Sequence, residues 1–305
     1  MKPFFSVVIP LYNKENYIAD TLNSVINQTF KDFEVIIIDD GSTDNSYEKV
    51  SKINDQRIKI IKQANQGLSK ARNTGIKNAQ AEYIAFLDAD DLWMEDFLQT
   101  ILNLIGLHKE HCVFATYIKL LHTKETANLL GNAFDVTHKI IISNYFKICK
   151  SILGPSSLVI KKTAFFTSGY FNESINYGED DDFYIRCFKH YNIVYYRQPK
   201  IYYRVNVPNQ LTAPSNDFNR KIPDYDKYLK DDNNKDLKKF IDFVHYRLVV
   251  LFKMEKKHEL VKFYKSKIEV SNLTLVQKIK YYLPTNLFYF IKKAYLRFSI
   301  IFSYY

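Results

Sequence analysis

Two short stretches near the start of the chain, Phe4 to Pro10 and Phe33 to Ile38, are nearly unbroken runs rich in Val, Ile and Phe. Strands buried on both faces of a parallel sheet read this way. Between them, residues 15–28 place Ile18, Leu22, Val25 and Ile26 at helical spacing. The alternation continues with a strand over 57–62, a helix over 68–79, a strand over 82–87 and a helix over 94–107. Strands alternating with helices predict an α/β sheet joined by right-handed crossovers.

Beyond residue 110 the pattern loosens. Val113 to Leu121 reads as a strand, 123–150 fits neither period, 156–160 is a strand and 179–190 a helix. Two short strands are expected at 193–196 and 201–205. Pro208 to Pro223 is polar and turn-rich, as a linker would be, and 225–268 reads as helices with Lys on their outer faces. The pattern divides the chain into an α/β region over 1–215, in two halves, 1–108 and 109–215, and a basic, aromatic helical region over 216–305. No internal repeat is apparent.

The chain has 305 residues with a formal charge of +10, a sign that suits nucleic acid, an anionic membrane or an acidic substrate. Its distribution decides among these. Residues 1–245 hold 31 Lys and Arg against 30 Asp and Glu, whereas 246–305 hold 12 against Glu255, Glu259 and Glu269 alone. A near-neutral body argues against a nucleic-acid groove. Three scattered cysteines, Cys112, Cys149 and Cys187, make neither a disulfide scaffold nor a four-ligand zinc site, which favours a reducing compartment. The first apolar run breaks at Pro10 and passes into Asn13-Lys14-Glu15-Asn16 without a small-residue cleavage site, so no signal peptide is expected. No stretch approaches the ~18 apolar residues that span a bilayer.

In sheets of this class ligands bind at the carboxyl ends of the strands. Pro10-Leu11-Tyr12-Asn13 follows the first run, Asp39-Asp40-Gly41-Ser42-Thr43-Asp44 the second, and Asp88-Ala89-Asp90-Asp91 the fourth. A turn and helix cap explains Gly41 to Asp44, and a helix dipole could occupy Asp91 or Asp96. Neither explains Asp88, set directly after a buried strand where a carboxylate is costly without a partner. A hard divalent cation is a suitable partner, since Mg²⁺ takes carboxylates together with substrate phosphates. The chain has only 8 Gly and neither a Gly-x-Gly-x-x-Gly nor a Gly-x-x-x-x-Gly-Lys-Ser/Thr loop. A phosphorylated ligand must therefore be held by metal and side chains, with Asn65 and Arg72 available at a further strand-to-helix junction.

Four stretches in order carry a family resemblance: Ser6 to Asn13, Ile38 to Asp44, Asn65 to Ser69 with Ala71 to Gly75, and Phe86 to Asp91. With them, residues 5–95 resemble the family 2 glycosyltransferases of the GT-A fold, and a weaker match extends to about residue 212. The resemblance implies an inverting, metal-dependent enzyme that moves a sugar from a nucleotide-diphosphate donor, UDP-linked by expectation, to a glycan or lipid-linked acceptor in bacterial surface polysaccharide or lipooligosaccharide synthesis. It implies that Pro10, Tyr12 and Asp40 surround the base, that Asn65 and Arg72 contact the nucleotide, that Asp88 holds the ribose and that Asp90 coordinates Mn²⁺ or Mg²⁺. By the same match Asp180, in Gly178-Glu179-Asp180-Asp181-Asp182, is the catalytic base and Glu179 an acceptor contact. Arg204 is expected at the diphosphate. Asn206 stands where many members carry a metal-proximal His, which removes one expected ligand. Trp93 suits stacking on a sugar and suits a core position equally.

Two other classes are weaker. A sugar-phosphate nucleotidyltransferase needs a Gly-rich, basic loop after the first strand, and Tyr12 to Asn16 is none. A non-catalytic nucleotide- or glycan-binding module would not require the intact acidic motifs. After Glu269 the chain has no acidic residue, and 281–305 include ten aromatics. Leu287, Ile291, Ala294, Phe298 and Ile301 fall on one helical stripe, with Lys292, Lys293 and Arg297 off it. Cations beside an apolar face describe a helix at an anionic membrane surface; packing on the catalytic domain or an oligomer contact are the alternatives. The expectation is a cytoplasmic protein, peripheral at the inner face of the membrane.

Overall fold

A strand that is apolar on both faces needs neighbours on both edges and cover above and below. The computed structural model supplies these for β1 (Phe5–Leu11), every residue of which is buried. The structure describes residues 2–122, 127–131, 139–148, 153–208, 210–215, 217–230 and 232–302, with side chains to residue 294. Following β1 come α1 (Ile18–Ile26), β2 (Phe33–Asp39), α2 (Ser46–Ser51), β3 (Ile58–Lys62), α3 (Leu68–Asn78), β4 (Tyr83–Phe86), β5 (Leu92–Trp93) and α4 (Phe97–Leu107). The second half adds β6 (Val113–Leu121), β7 (Ile140–Ser143), α5 (Tyr145–Ile148), β8 (Leu158–Lys161), α6 (Ala164–Ser168), α7 (Glu179–Phe188) and β9 (Ile193–Arg204).

These strands form one sheet in the order β3-β2-β1-β4-β8-β6-β9-β5, with β7 also on β9. The first four pair in parallel, Val7 opposite Val35 and Ala85, while β8 runs antiparallel to β4 and β6. Val7, Ile9, Val35, Ile37, Phe97 and Ile101 belong to one buried cluster. Helix α3 packs on β1 and β2, and Gly75 is what permits it: a Cβ there would lie 2.2 Å from Val8 Cγ1.

Pairing of β1 with β4 ends at Val8 opposite Phe86, whereas pairing with β2 continues to Leu11. Pro10, which has no N–H to donate, therefore sits where the β4 ladder has stopped. Beyond that point the two carboxyl ends diverge and leave the opening at which ligands bind in such sheets. The two short strands expected at 193–196 and 201–205 are one strand. Pro199 is accommodated by register shifts against β6 on either side of Tyr117, where a missing donor is tolerated. β7 falls in the stretch that fitted neither period; 123–126, 132–138 and 149–152, including Cys149, lie outside the described residues.

Two compact units divide the chain, Met1–Gln210 with Arg220–Pro223, and Leu211–Asn219 with Asp224–Tyr305. The second contains α8 (Lys235–Met254), α9 (His258–Ser266), α10 (Leu275–Tyr282) and α11 (Thr285–Phe302). Asn234 caps α8 by accepting from the Asp236 and Leu237 amides, and Thr274 with Gln277 forms a capping box on α10. The end of α10 is closed from another helix. Buried Lys253 of α8 donates through Nζ to the carbonyls of Lys280 at 2.7 Å, Tyr281 at 2.9 Å and Leu283 at 2.6 Å. Three carbonyls that a helix terminus leaves unpaired thus find one ammonium. Burial pushes that ammonium's pKa down to about 8. Among the described residues no helix is long and apolar enough to cross a membrane. Phe298 and Ile301 of the expected tail stripe, and Arg297 off it, lie beyond the described side chains.

Candidate active site

At the end of β2, Asp40 is buried, and its carboxylate organises the loop that leads into α3. Oδ1 accepts from Gln63 Nε2 at 2.7 Å and from the Gln66 amide at 3.0 Å, and Oδ2 accepts from the Gly67 amide at 2.9 Å. Gly41 follows in the left-handed region (φ 74°), and a Cβ on it would lie 2.9 Å from the Asn65 amide nitrogen. A side chain there would push the two loops apart. Tyr12 is 46% exposed and Asn65 is exposed, so both present surface to a ligand. Pro10 is buried within β1.

The centre of the site is Arg72. Its guanidinium, on the buried face of α3, is 1% exposed and donates from Nη2 to Asp88 Oδ1 at 2.9 Å and from Nη1 to Asp180 Oδ1 at 2.7 Å. Glu179 Oε1 lies 3.8 Å away. This arginine, expected at the nucleotide, bridges the carboxylate after β4 to the first turn of α7. Burial alone would lower its pKa, but Asp180, Asp88 and Glu179 together raise it and keep it charged. Asp180 itself is partly exposed, at 31%, and is pushed up to about 8, by desolvation first and against the pull of Arg72, with Glu179, Asp88 and Asp181 adding like charge. Glu179 is also raised, mainly by burial against the pull of Arg72.

Within the acidic turn the carboxylates have separate environments. Asp90 Oδ2 pairs with Lys14 Nζ at 2.8 Å, and burial raises its pKa in spite of that lysine. Asp91 is fully enclosed; its Oδ2 accepts from Ser156 Oγ at 2.6 Å and its Oδ1 from the Arg204 amide at 3.2 Å. Desolvation, with Asp90 and Asp88 nearby, raises its pKa well above the usual carboxylate range. Ser156 also accepts from the Asp88 amide at 3.1 Å, so the Gly154–Ser157 turn clamps the acidic turn. Arg204, at the end of β9, reaches Asp20 Oδ2 at 3.0 Å and the Asp90 carbonyl at 3.3 Å. Asn206 is exposed, with a left-handed backbone (φ 63°).

Trp93 is a correction. Its ring is fully buried against Phe97, 4.3 Å between centroids, and Nε1 donates to the Ser156 carbonyl at 2.8 Å. It has no free face for a sugar; pairing of β5 with β9 draws it into the core. In α7, Asp182 holds Arg186 at 2.9 Å, one turn on, and Arg186 Nη2 donates to the Tyr170 carbonyl at 2.8 Å. That carboxylate is structural, which separates it from Asp180. Lys14 and Asp20 were not singled out in the sequence. Lys14 carried a usable signal, since it lies just beyond a strand whose sheet neighbour ends in the acidic turn.

Among the described residues no three His, Cys, Asp or Glu side chains gather as a metal cluster. The donor chemistry nevertheless suits a hard ion. Asp90 already faces a cation, the Lys14 ammonium, and carboxylate oxygens combine with substrate phosphates around Mg²⁺ or Mn²⁺.

The model of the family described as glycosyl transferase family 2 matches residues 6–150. An uncharacterized glycosyltransferase of Haemophilus influenzae is 30% identical over 258 residues, covering 80% of this chain and 95% of that protein. The minor teichoic acid biosynthesis protein GgaA of Bacillus subtilis is 32% identical over 231 residues, 71% of this chain and 50% of its own length. For other curated relatives the matched segment spans far less of their length, 28% for a glycosyltransferase of Rickettsia felis. Among solved structures, TarS residues 1–349 of S. aureus in complex with UDP-GlcNAc superposes with a TM-score of 0.66, covering 97% of this chain and 92% of that one at 19% identity. At that identity the likeness is one of fold.

Proposed function

The chain belongs to glycosyl transferase family 2 and has its GT-A fold, and from that premise we propose that it transfers a sugar, hexosyl or N-acetylhexosaminyl, from a UDP-linked donor to a glycan or lipid-linked acceptor of the bacterial cell surface, with inversion at the anomeric carbon. One observation carries the reading: a single buried guanidinium joins Asp88, on the donor side of the sheet, to Asp180, on the first turn of α7. The two halves of a transfer site are thereby fixed relative to each other. GgaA by its name acts in teichoic acid biosynthesis and the TarS structure holds UDP-GlcNAc, which supports a surface glycan and a UDP-sugar.

The residues divide the work. Asp40 uses three of its roughly four lone-pair positions on its own loop, and the remaining one accepts the imide N–H of uracil, with Tyr12 and Asn65 beside the base and Pro10 shaping the floor. Asp88 takes a ribose hydroxyl with the oxygen that Arg72 leaves available. Asp90 would hold a divalent ion with the diphosphate oxygens, and such an ion when bound neutralises charge developing on the leaving group. Lys14 and Arg204 supply further positive charge at the diphosphate. Asp180 accepts the proton of the acceptor hydroxyl as that oxygen attacks the anomeric carbon, and Glu179 orients the acceptor. A raised pKa suits a general base working near neutral pH. One displacement needs no covalent nucleophile and inverts the configuration.

The test is a screen of nucleoside-diphosphate sugars with Mn²⁺, reading release of the nucleoside diphosphate with and without candidate acceptors. Turnover of a UDP-sugar, lost in Asp180→Asn with UDP binding retained, is expected. Release of pyrophosphate from a nucleoside triphosphate would replace this reading with a nucleotidyltransferase; failure of every nucleotide sugar to bind or turn over would leave a non-catalytic module.

A further inference from the structure

The carboxylates of the turn after β4 each have a partner within the chain, and the partners differ in kind. Asp88 is held by the Arg72 guanidinium, and Asp91 by a hydroxyl and an amide. Asp90 has the Lys14 ammonium, 2.8 Å from its Oδ2. Arg72 cannot leave Asp88 without disturbing its bond to Asp180, and Asp91 is fully enclosed. Lys14 is tied by its backbone alone. Its amide donates to Ser46 Oγ at 2.8 Å, and its carbonyl accepts from the Tyr17 and Ile18 amides at 2.9 and 3.0 Å. On either side of it, Asn13 Oδ1 accepts from the Thr43 amide at 2.8 Å and Asp44 Oδ2 from the Glu15 amide at 3.0 Å. The Lys14 backbone is thus pinned to the loop after β2, while its flexible four-carbon stem lets the ammonium relocate.

The pair is sheltered, with side chains 16% exposed at Lys14 and 11% at Asp90, so the ammonium acts on that carboxylate with little screening. A second cation approaching Asp90 meets the repulsion of the first. The acids of the lysine's own loops are engaged elsewhere: Asp44 accepts from the Glu15 and Ser46 amides, and Glu15 from the amide and side chain of Asn45. Arg204, the other cation at this turn, rests on Asp20 and meets Asp90 only through its carbonyl. The competition for the Asp90 carboxylate is therefore with Lys14. A diphosphate, an anion with several strong acceptor oxygens, can receive the displaced ammonium.

We propose that Lys14 couples the divalent cation to the donor: it holds Asp90 against a cation that arrives alone, and yields the carboxylate when a nucleoside diphosphate takes its ammonium. The inference rests on the reading of Asp90 as the metal carboxylate. It goes further in making joint entry of ion and nucleotide a property of one side chain. Coupling of this kind is reciprocal, so what Lys14 withholds from the ion alone returns as tighter binding of the ion once the diphosphate is present.

The experiment is a Mn²⁺ titration of the full chain, read as loss of the free-ion EPR signal, with the protein alone, with UDP and with uridine, and with protein-free UDP as the blank. Native protein is compared with Lys14→Gln and Lys14→Met, which remove the charge with different side chains, with Asp90→Ala, with Lys14→Gln/Asp90→Ala and with the exposed control Lys49→Gln. Circular dichroism checks that each is folded. A neighbouring cation weakens occupation of a carboxylate by about 10- to 1,000-fold, and residual solvent at the pair favours the lower end. Lys14→Gln and Lys14→Met should therefore bind Mn²⁺ alone roughly 10- to 30-fold more tightly than the native chain, with UDP adding correspondingly less. Lys49→Gln should match native, the gain should vanish in the double variant, and uridine, which has no phosphate, should leave native Mn²⁺ binding unchanged. Unaltered binding of Mn²⁺ alone in the Lys14 variants, with UDP merely weakened, would overturn the proposal and leave Lys14 a diphosphate contact. Equal tightening in Lys49→Gln, or promotion by uridine as strong as by UDP, would overturn it as well. Asp90→Ala separates the two readings: loss there of Mn²⁺ uptake with UDP upholds the metal role whichever way Lys14 behaves, and undiminished uptake removes both.

Discussion

Replacing Arg72 by Gln removes the one positive charge shared by Asp88 and Asp180 and keeps an amide in its place. Both ion pairs are short, 2.9 and 2.7 Å, and the arginine side chain is 1% exposed, but the carboxylates retain 26% and 31% exposure. Breaking a fully buried pair costs about 3–5 kcal/mol; solvent at the carboxylates brings the expected loss of stability to about 2–3 kcal/mol. The effect on chemistry is larger and has a distinctive shape. An arginine beside a carboxylate lowers its pKa by about 1–3 units, so its removal lifts Asp180 that far above its present value of about 8. At a pH near 7.5 the ionised fraction, roughly a quarter in the native site, then falls about 10- to 1,000-fold. The assay is the pH dependence of kcat/KM for consumption of the donor, which reports groups of the free enzyme. Native activity should fall with decreasing pH below about 8; the Arg72→Gln profile should shift to higher pH and regain activity there, while Arg72→Lys stays close to native. A loss that is uniform across pH and expressed as a raised donor KM would refute the bridging role and make Arg72 a simple donor contact.

Asp180→Asn should cost about 10²–10⁴ in kcat, the usual worth of a general base, with UDP affinity unchanged in a calorimetric titration. Ser156→Ala strips the hydroxyl from Asp91 Oδ2 and from the Asp88 amide, and should cost about 1–3 kcal/mol, read as a drop of several degrees in Tm. His245, 1% exposed, has its pKa lowered to about 4, chiefly by burial, with Lys267 and Lys238 acting the same way and Asp226 and Asp242 opposing. The folded state then binds fewer protons than the unfolded state between about pH 6.5 and 4. Stability present above pH 6.5 is lost as pH falls through that window, by about 3 kcal/mol at most. His245→Asn should flatten the Tm-against-pH curve there.

The sheet was legible because strands buried on both faces leave continuous apolar runs, as Phe5–Leu11 and Phe33–Asp39 do, and because carboxylates that follow such runs have little reason to be there except chemistry. Asp40, Asp88 and Asp90 came from that logic. The bridge made by Arg72 did not, since its partner Asp180 lies in α7, 108 residues further on. Ser156 and Asp20 share that difficulty: their partners, Asp91 and Arg204, lie 65 and 184 residues away, and no local pattern encodes the pairing. Trp93 stayed open between a sugar contact and the core because a two-residue strand such as Leu92–Trp93 has too few positions to show a period. Pro199 split β9 on paper, although the bulge opposite Tyr117 lets the strand run through.

The central claim, that Asp90 and the diphosphate share a divalent cation at the site bridged by Arg72, is tested most directly by titrating UDP into the native chain and into Asp90→Ala, each with Mn²⁺ and with a chelator. UDP should bind the native protein much more tightly with Mn²⁺, and that gain should vanish in Asp90→Ala. Binding of UDP that is equally tight with chelator, or that Asp90→Ala leaves unchanged in Mn²⁺, would contradict it.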